Sequence, residues 1–298
     1  MKHDTAKHFV LQLGSLISLY ISLGFLISLL FGLINSIFPD PTDQYYQIQS
    51  TTEGIRLAIA MLVVFFPAYL VLTRLTNKLR RKETTGEFLP LTKWLIYLSI
   101  LVGTLILLSD IVIVLWTFLS GEITARFILK AVAVLGVVGL ALYYYILDVR
   151  GYWVKHESKS VMIGYGVLTA VFVTVAFGFG NIETPSQVRE MKLDAQQITD
   201  LQTIQWRVQD AIIQSSSTVP TDLKVVFGEF PAPTAPDNRE AYSYAKTDKG
   251  FELCATFARD SIPNQFDRPI MSDKSMPIVN AEDWQHKAGR YCFKRLVR

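Results

Sequence analysis

Five long stretches almost free of charge dominate this chain. They cover residues 9–38, 55–76, 94–119, 125–147 and 161–182. A helix rises about 1.5 Å per residue, so about 20 apolar residues span the roughly 30 Å of hydrocarbon in a bilayer. A buried soluble core rarely needs five such runs in succession. The sequence therefore predicts five transmembrane helices in residues 1–182. Half of the 298 residues are hydrophobic and 18% are charged, against about 25% charged in a soluble domain. The deficit falls on the first 182 residues, and 183–298 has the composition of an ordinary soluble domain. The first run follows Lys2 and Lys7. It exceeds the length of a signal-peptide apolar region and no small-x-small site closes it, so it reads as an uncleaved signal anchor.

The connectors give a direction. Lys and Arg in short loops remain cytoplasmic. Connector 39–54 carries Asp40, Asp43 and Glu53 and no Lys or Arg, whereas 77–93 carries Lys78, Arg80, Arg81, Lys82 and Lys93. Connector 120–124 has only Glu122, and 150–160 has Arg150, Lys155 and Lys159. The bias alternates from a cytoplasmic N-terminus, and five crossings place 183–298 outside. Trp94, Tyr97, Trp116, Tyr152 and Trp153 fall at the expected interfaces, where aromatic rings anchor.

Ionisable groups within apolar spans are costly and therefore informative. Asp110 in the third span and Lys130 in the fourth lie equally far from the turn at Ser120-Gly121. They are expected to share a depth and form an intramembrane ion pair. The pair would either fix the register of this hairpin or serve an ion or proton path. Pro67 is expected to kink the second span. Gly164-Tyr165-Gly166 resembles a potassium-filter string, but it begins a continuous apolar segment and reads as helix-contact residues. The four histidines, His3, His8, His156 and His286, lie outside the spans and lack metalloprotease spacing. No enzyme signature, cofactor or resident metal is expected. No basic, aromatic-interleaved surface suggests nucleic-acid binding.

Residues 186–214 repeat apolar positions at three- and four-residue steps, from Val188 to Ile212, which predicts one long helix. Beyond it, Leu223–Phe227, Ala241–Ala245, Phe251–Phe257 and Tyr291–Val297 are strand candidates. Thr247-Asp248-Lys249-Gly250 predicts a hairpin turn. Phe251, Leu253, Ala255 and Phe257 would cover the helix, leaving Cys254 on the other face, within reach of Cys292. These are the only two cysteines, and a disulfide is expected; two unpaired buried thiols are the alternative. Residues 229–240 and 259–283 read as loops. Asp260, Asp267, Asp273 and Asp283 in the latter could offer oxygen to calcium, but their spacing matches no defined motif and a solvated acidic loop is the preferred reading. Trp284, His286 and Arg290 are expected to pack at the loop end rather than face a ligand.

Two resemblances follow from these strings. Asp200-Leu201-Gln202-Thr203-Ile204, Pro220-Thr221-Asp222-Leu223, Tyr242-Ser243-Tyr244 and Gly250-Phe251-Glu252-Leu253 resemble the pseudopilin-like domains of type II secretion and type IV pilus systems. The resemblance implies a long helix on a small antiparallel sheet. A processed leader and an early Glu, as in pilins, are not found before this domain, so it implies the fold rather than pilus assembly. Residues 8–150 resemble an uncharacterised bacterial multi-pass membrane family. The strings carrying this are Phe38-Pro39-Asp40, Arg56-Leu57-Ala58-Ile59-Ala60, Lys93-Trp94-Leu95-Ile96-Tyr97 and Thr124-Ala125-Arg126-Phe127.

The expected organisation is a four-helix transmembrane module over 1–160, a fifth membrane helix at 161–182, and an α+β domain outside the cytoplasm over 183–298. The expected location is a bacterial inner membrane. The expected role is a non-enzymatic envelope protein whose outer domain meets a protein partner. A small transporter or channel component using Asp110 and Lys130 is the other reading.

Overall fold

A computed structural model of the chain describes residues 2–39, 45–82, 89–121, 123–214, 218–261, 278–279 and 283–297. Two compact units result, with the break in the chain between Ile182 and Glu183. Helices α1 (Lys2–Ile37), α2 (Tyr45–Lys82), α3 (Leu89–Leu119), α4 (Ala125–Val149), a single turn α5 (Tyr152–Lys155) and α6 (Glu157–Gly180) build the first unit. The long helix α7 (Pro185–Gln214), the short α8 (Leu223–Phe227) and strands β1 (Ser243–Thr247), β2 (Gly250–Phe257), β3 (Ile278–Val279) and β4 (Gly289–Val297) build the second.

The five long apolar helices are present, each with the length and composition to cross a membrane. Their ends run past the apolar runs. Helix α2 takes in Tyr45–Lys82, so polar residues read as connector on both sides continue the helix. The connector 150–160 is also largely helical, in α5 and the start of α6. Pro67 lies inside α2. The α3–α4 turn places Gly121 at φ +72°, a left-handed conformation that glycine adopts without steric cost. Thr124 then caps α4, its hydroxyl accepting from the Phe127 amide at 3.1 Å.

Two apolar clusters hold the first unit. Leu29 and Leu33 of α1 pack with Ile55, Ala58, Ile59 and Leu62 of α2, closed by Val171 of α6. Leu16 and Leu19 of α1 meet Leu95 and Ile96 of α3 and Tyr145 of α4. Small residues permit close approach. A methyl on Gly32 would collide with the Ile55 side chain, and one on Gly103 would lie 2.7 Å from Leu142. Many large apolar side chains remain exposed on the outward faces, among them Leu101, Leu105, Trp116, Leu119, Leu140 and Phe172. In water such a surface would be unfavourable.

The second unit places a long helix on an antiparallel sheet. Ile198, Leu201, Ile204, Val208 and Ile212 of α7 form one core with Phe251, Leu253, Ala255 and Phe257 of β2 and Phe293 of β4. The sheet order is β1-β2-β4-β3, with β3 only two residues long. The hairpin forms at the expected turn, pairing Thr247 with Gly250. The start of α7 is a reciprocal cap: Thr184 N–H donates to Gln187 Oε1 at 2.9 Å, and Gln187 N–H to Thr184 Oγ1 at 3.4 Å. Pro185 is the first helical residue, where its missing N–H is not needed.

Two local expectations change. Residues 223–227 form helix α8, not a strand. Asp222 caps it by accepting from the Lys224 amide at 3.1 Å, and Gly228 at φ +57° ends it. A segment of five residues is too short to carry a period of its own, and the caps decide it. The stretch 259–283, read as loop, contributes the two-residue strand β3.

Candidate functional site

The richest polar arrangement lies where α1, α2 and α4 meet. Helices α1 and α2 run antiparallel, as the close pairs Gly14–Leu72, Ser15–Thr73 and Gly32–Ile55 require. Ser15 Oγ and Thr73 Oγ1 are 2.8 Å apart. One helical turn above Thr73, the Tyr69 hydroxyl hydrogen-bonds to both Thr73 and Tyr145. Four hydroxyls from three helices thus form one chain.

Asp148 sits one turn beyond Tyr145, in the last turn of α4, and is only 8% exposed. Helix α4 runs antiparallel to α1: Arg126 Nε donates to the Phe38 carbonyl at 2.9 Å, while Tyr145 packs with Leu16 and Leu19. Asp148 therefore lies at the level of Ser15 and Thr73. One turn further toward the start of α1 and the end of α2 are Gln12 and Thr76, each 7% exposed. Gln12 Oε1 and Thr76 Oγ1 are buried without a hydrogen-bond partner. Buried polar atoms are nearly always satisfied, because desolvation without a partner costs about 1–3 kcal/mol each. An aromatic shelf lies beside this group: Trp153 stacks on Tyr144 at 4.8 Å and donates from Nε1 to the Tyr144 carbonyl at 3.0 Å.

The sequence reading did not find Asp148. It follows the apolar run 125–147 by one residue and looks like the beginning of a connector. Its three-residue spacing from Tyr145 was the available signal, since that places both on one helical face.

Asp110 is half-buried on α3 and Lys130 half-buried on α4. The Lys130 ammonium lies 5.6 Å from the Phe31 ring of α1, a cation–π distance. Gly164-Tyr165-Gly166 lies inside the continuous helix α6, and the Arg74 guanidinium is 5.7 Å from the Tyr165 ring centre.

In the second unit Cys254 and Cys292 are joined as a disulfide and are direct partners across β2 and β4. Glu252 lies beside them, but disulfide sulfurs are not thiolates and do not make this trio a metal site. Asp194 of α7 is 6% exposed. It accepts from Arg239 Nη2 at 2.8 Å and from the Ala258 and Arg259 amides at 3.1 Å, and Arg239 also bridges to Glu190 at 2.6 Å. Arg295 is 2% exposed on the core face of β4. It donates to Gln205 Oε1 of α7 and to the Asp283 carbonyl, with its guanidinium 4.4 Å from the Trp284 ring centre. Burial lowers its pKa to about 10, so it stays charged at neutral pH.

Trp284 and His286 are core residues, and Arg290 is exposed. His286 stacks on Phe257 at 3.8 Å, and its Nδ1 lies 3.0 Å from the Trp284 carbonyl. Of the four acidic residues considered for calcium, Asp260 accepts from the Ala288 amide and Asp283 from the Gln285 amide. Asp267 and Asp273 lie outside the described residues.

Comparison with known families gives one match. Residues 8–145 match the family described as a domain of unknown function, DUF5671. The matched part ends within α4, three residues before Asp148. No curated protein matches the chain, and no solved structure does.

Proposed function

We propose that this protein is a multi-pass component of a bacterial inner membrane that holds an interaction domain outside the cytoplasm. The observation that carries this reading is the disulfide Cys254–Cys292, in the unit that follows the fifth apolar helix. Disulfides persist in oxidising compartments and are rare in the cytosol. The alternation of basic and acidic connectors supports the same direction, with the N-terminus cytoplasmic. The exposed apolar faces of α3, α4 and α6 suit contact with lipid.

The outer unit binds an envelope protein rather than catalysing a reaction. Two of its buried ionisable groups, Asp194 and Arg295, are engaged structurally. Trp206 and Phe230 are 62% and 75% exposed, and aromatic anchors of this kind are enriched at protein interfaces. The helix-on-sheet architecture suits a pseudopilin-like domain, here tethered by a membrane helix.

Thiol labelling tests the topology. A membrane-impermeant maleimide should modify Asn238→Cys in intact spheroplasts and Arg150→Cys only after permeabilisation. The opposite pattern removes the proposal. Photo-crosslinking from position 206 should capture an envelope protein, and its failure there and at 230 would argue against the partner. A transporter or channel component remains the second reading, because Asp110 and Lys130 place charge within the apolar stretches of α3 and α4. Ion or proton flux in liposomes unaltered by Asp110→Asn removes it.

A further inference from the structure

We propose that the face of α3 around Asp110 receives an apolar helix of a partner membrane protein, and that this helix carries a Lys or Arg at the depth of Asp110. The site depends on α3 crossing the membrane and not on the binding role of the second unit.

Depth makes Asp110 costly. The apolar stretch of α3 covers Trp94–Leu119, and at about 1.5 Å per residue Asp110 lies about 5 Å from its middle. A carboxylate at such a depth ordinarily pairs with an opposite charge. Asp110 makes no hydrogen bond or ion pair with a described residue, and burial alone acts on it. The register of the hairpin gives the reason. Gly103 of α3 lies against Leu142 of α4, which sets Asp110 near the level of Leu135. Lys130 then stands about 7 Å nearer the α3–α4 turn, where its ammonium meets the Phe31 ring of α1.

The surroundings select the class of partner. One turn to either side on the same face, Ile106 and Ile113 are 40% and 54% exposed, and Leu135 is 52% exposed. Helix α3 packs on α1 through Leu95 and Ile96, far from this patch. A metal ion would need several oxygen ligands. The side chains flanking Asp110 on its face are apolar, and the Ser109 hydroxyl donates to the Leu105 carbonyl. A segment that reaches this depth must satisfy its own backbone, which a helix does. Its apolar side chains pack on Ile106, Ile113 and Leu135. Its one basic side chain compensates the carboxylate, which lowers the cost of burying both charges.

The full chain in phosphatidylcholine vesicles tests this. The probe is a synthetic membrane-spanning helix of leucine and alanine with one Lys at its centre, and energy transfer between labelled chain and labelled peptide reads association. The Lys peptide should bind about tenfold more tightly than the same peptide with Leu at that position. Moving the Lys to the peptide's end should abolish the advantage, and so should Asp110→Asn, whereas Asp110→Glu should keep it. Equal binding of the Lys and Leu peptides to the wild-type chain overturns the proposal. A Lys preference that survives Asp110→Asn overturns it as well, because it then belongs to another carboxylate. Asp110-dependent dimers of the chain in peptide-free vesicles overturn it by assigning the face to a second copy. If Asp110→Asn does not fold, the central-Lys, end-Lys and Leu peptides on the wild-type chain decide: no difference among them rejects the site. Flotation with the vesicles separates the two readings. A chain that does not float refutes membrane insertion itself, and a chain that floats without a Lys preference refutes the helix partner alone.

Discussion

Replacing Asp194 by Ala should weaken the second unit far more than an ordinary surface substitution. Its carboxylate accepts from Arg239 at 2.8 Å and from the Ala258 and Arg259 amides at 3.1 Å. It is 6% exposed, and the Arg239 side chain is 11% exposed. Alanine leaves two backbone donors at the end of β2 without this acceptor, at about 1–2 kcal/mol each. Arg239 keeps Glu190, whose side chain is 41% exposed, so the pair is weakened rather than abolished. The total comes to about 3–5 kcal/mol, the range seen when one partner of a buried pair is removed. Asp194→Asn keeps one acceptor oxygen and should cost about half as much. Hydrogen exchange on the full-length protein, read by mass spectrometry, is the assay. Peptides covering 250–259 should lose protection by about a factor of a thousand in Asp194→Ala, since each 1.4 kcal/mol is tenfold. A loss below tenfold, or equal losses in Asn and Ala, would refute the assignment of Asp194 as the clasp between α7 and β2.

Reduction of the disulfide, or Cys254→Ser with Cys292→Ser, should destabilise the second unit by about 4 kcal/mol on the loop-entropy relation, given the 38-residue separation. Chemical denaturation with and without reductant checks this. Burial holds the His286 imidazole below its ordinary pKa, so the unfolded chain binds a proton that the folded unit resists. Stability should be complete above about pH 6.5 and decline as pH falls through that value toward the folded pKa. The same denaturation series on His286→Gln should show a flatter profile between pH 7 and 5, relative to about 6.5 for free histidine. Gly32→Ala drives a methyl into Ile55, which is 1% exposed and has little room to retreat. A loss of about 1–3 kcal/mol is expected, with partial recovery when Ile55→Val is added, measured by thermal stability in detergent.

Local pattern determined much of this protein. Runs long enough to span hydrocarbon gave five helices. The step from three-and-four to alternating periodicity separated α7 from the sheet, and Thr247-Asp248-Lys249-Gly250 set the hairpin. The alternation along β2 put Phe251 and Leu253 in the core and placed Cys254 opposite Cys292. These features depend on residues close in the chain, where side-chain direction follows directly from backbone period. Residues 223–227 were too few to carry a period, and Asp222 and Gly228 made them a helix. Arg295 shares a face of β4 with Phe293, and Gln205, Trp284 and the Asp283 carbonyl, all distant in the chain or in the preceding loop, receive its charge in the core. The group around Asp148 was least legible. Its hydroxyls come from residues 15, 69, 73 and 145, and no spacing within one helix reveals that they meet. Only the pairing of helices decides it, because a polar side chain in an apolar bundle is stabilised by whichever distant helix presents a partner at the same depth.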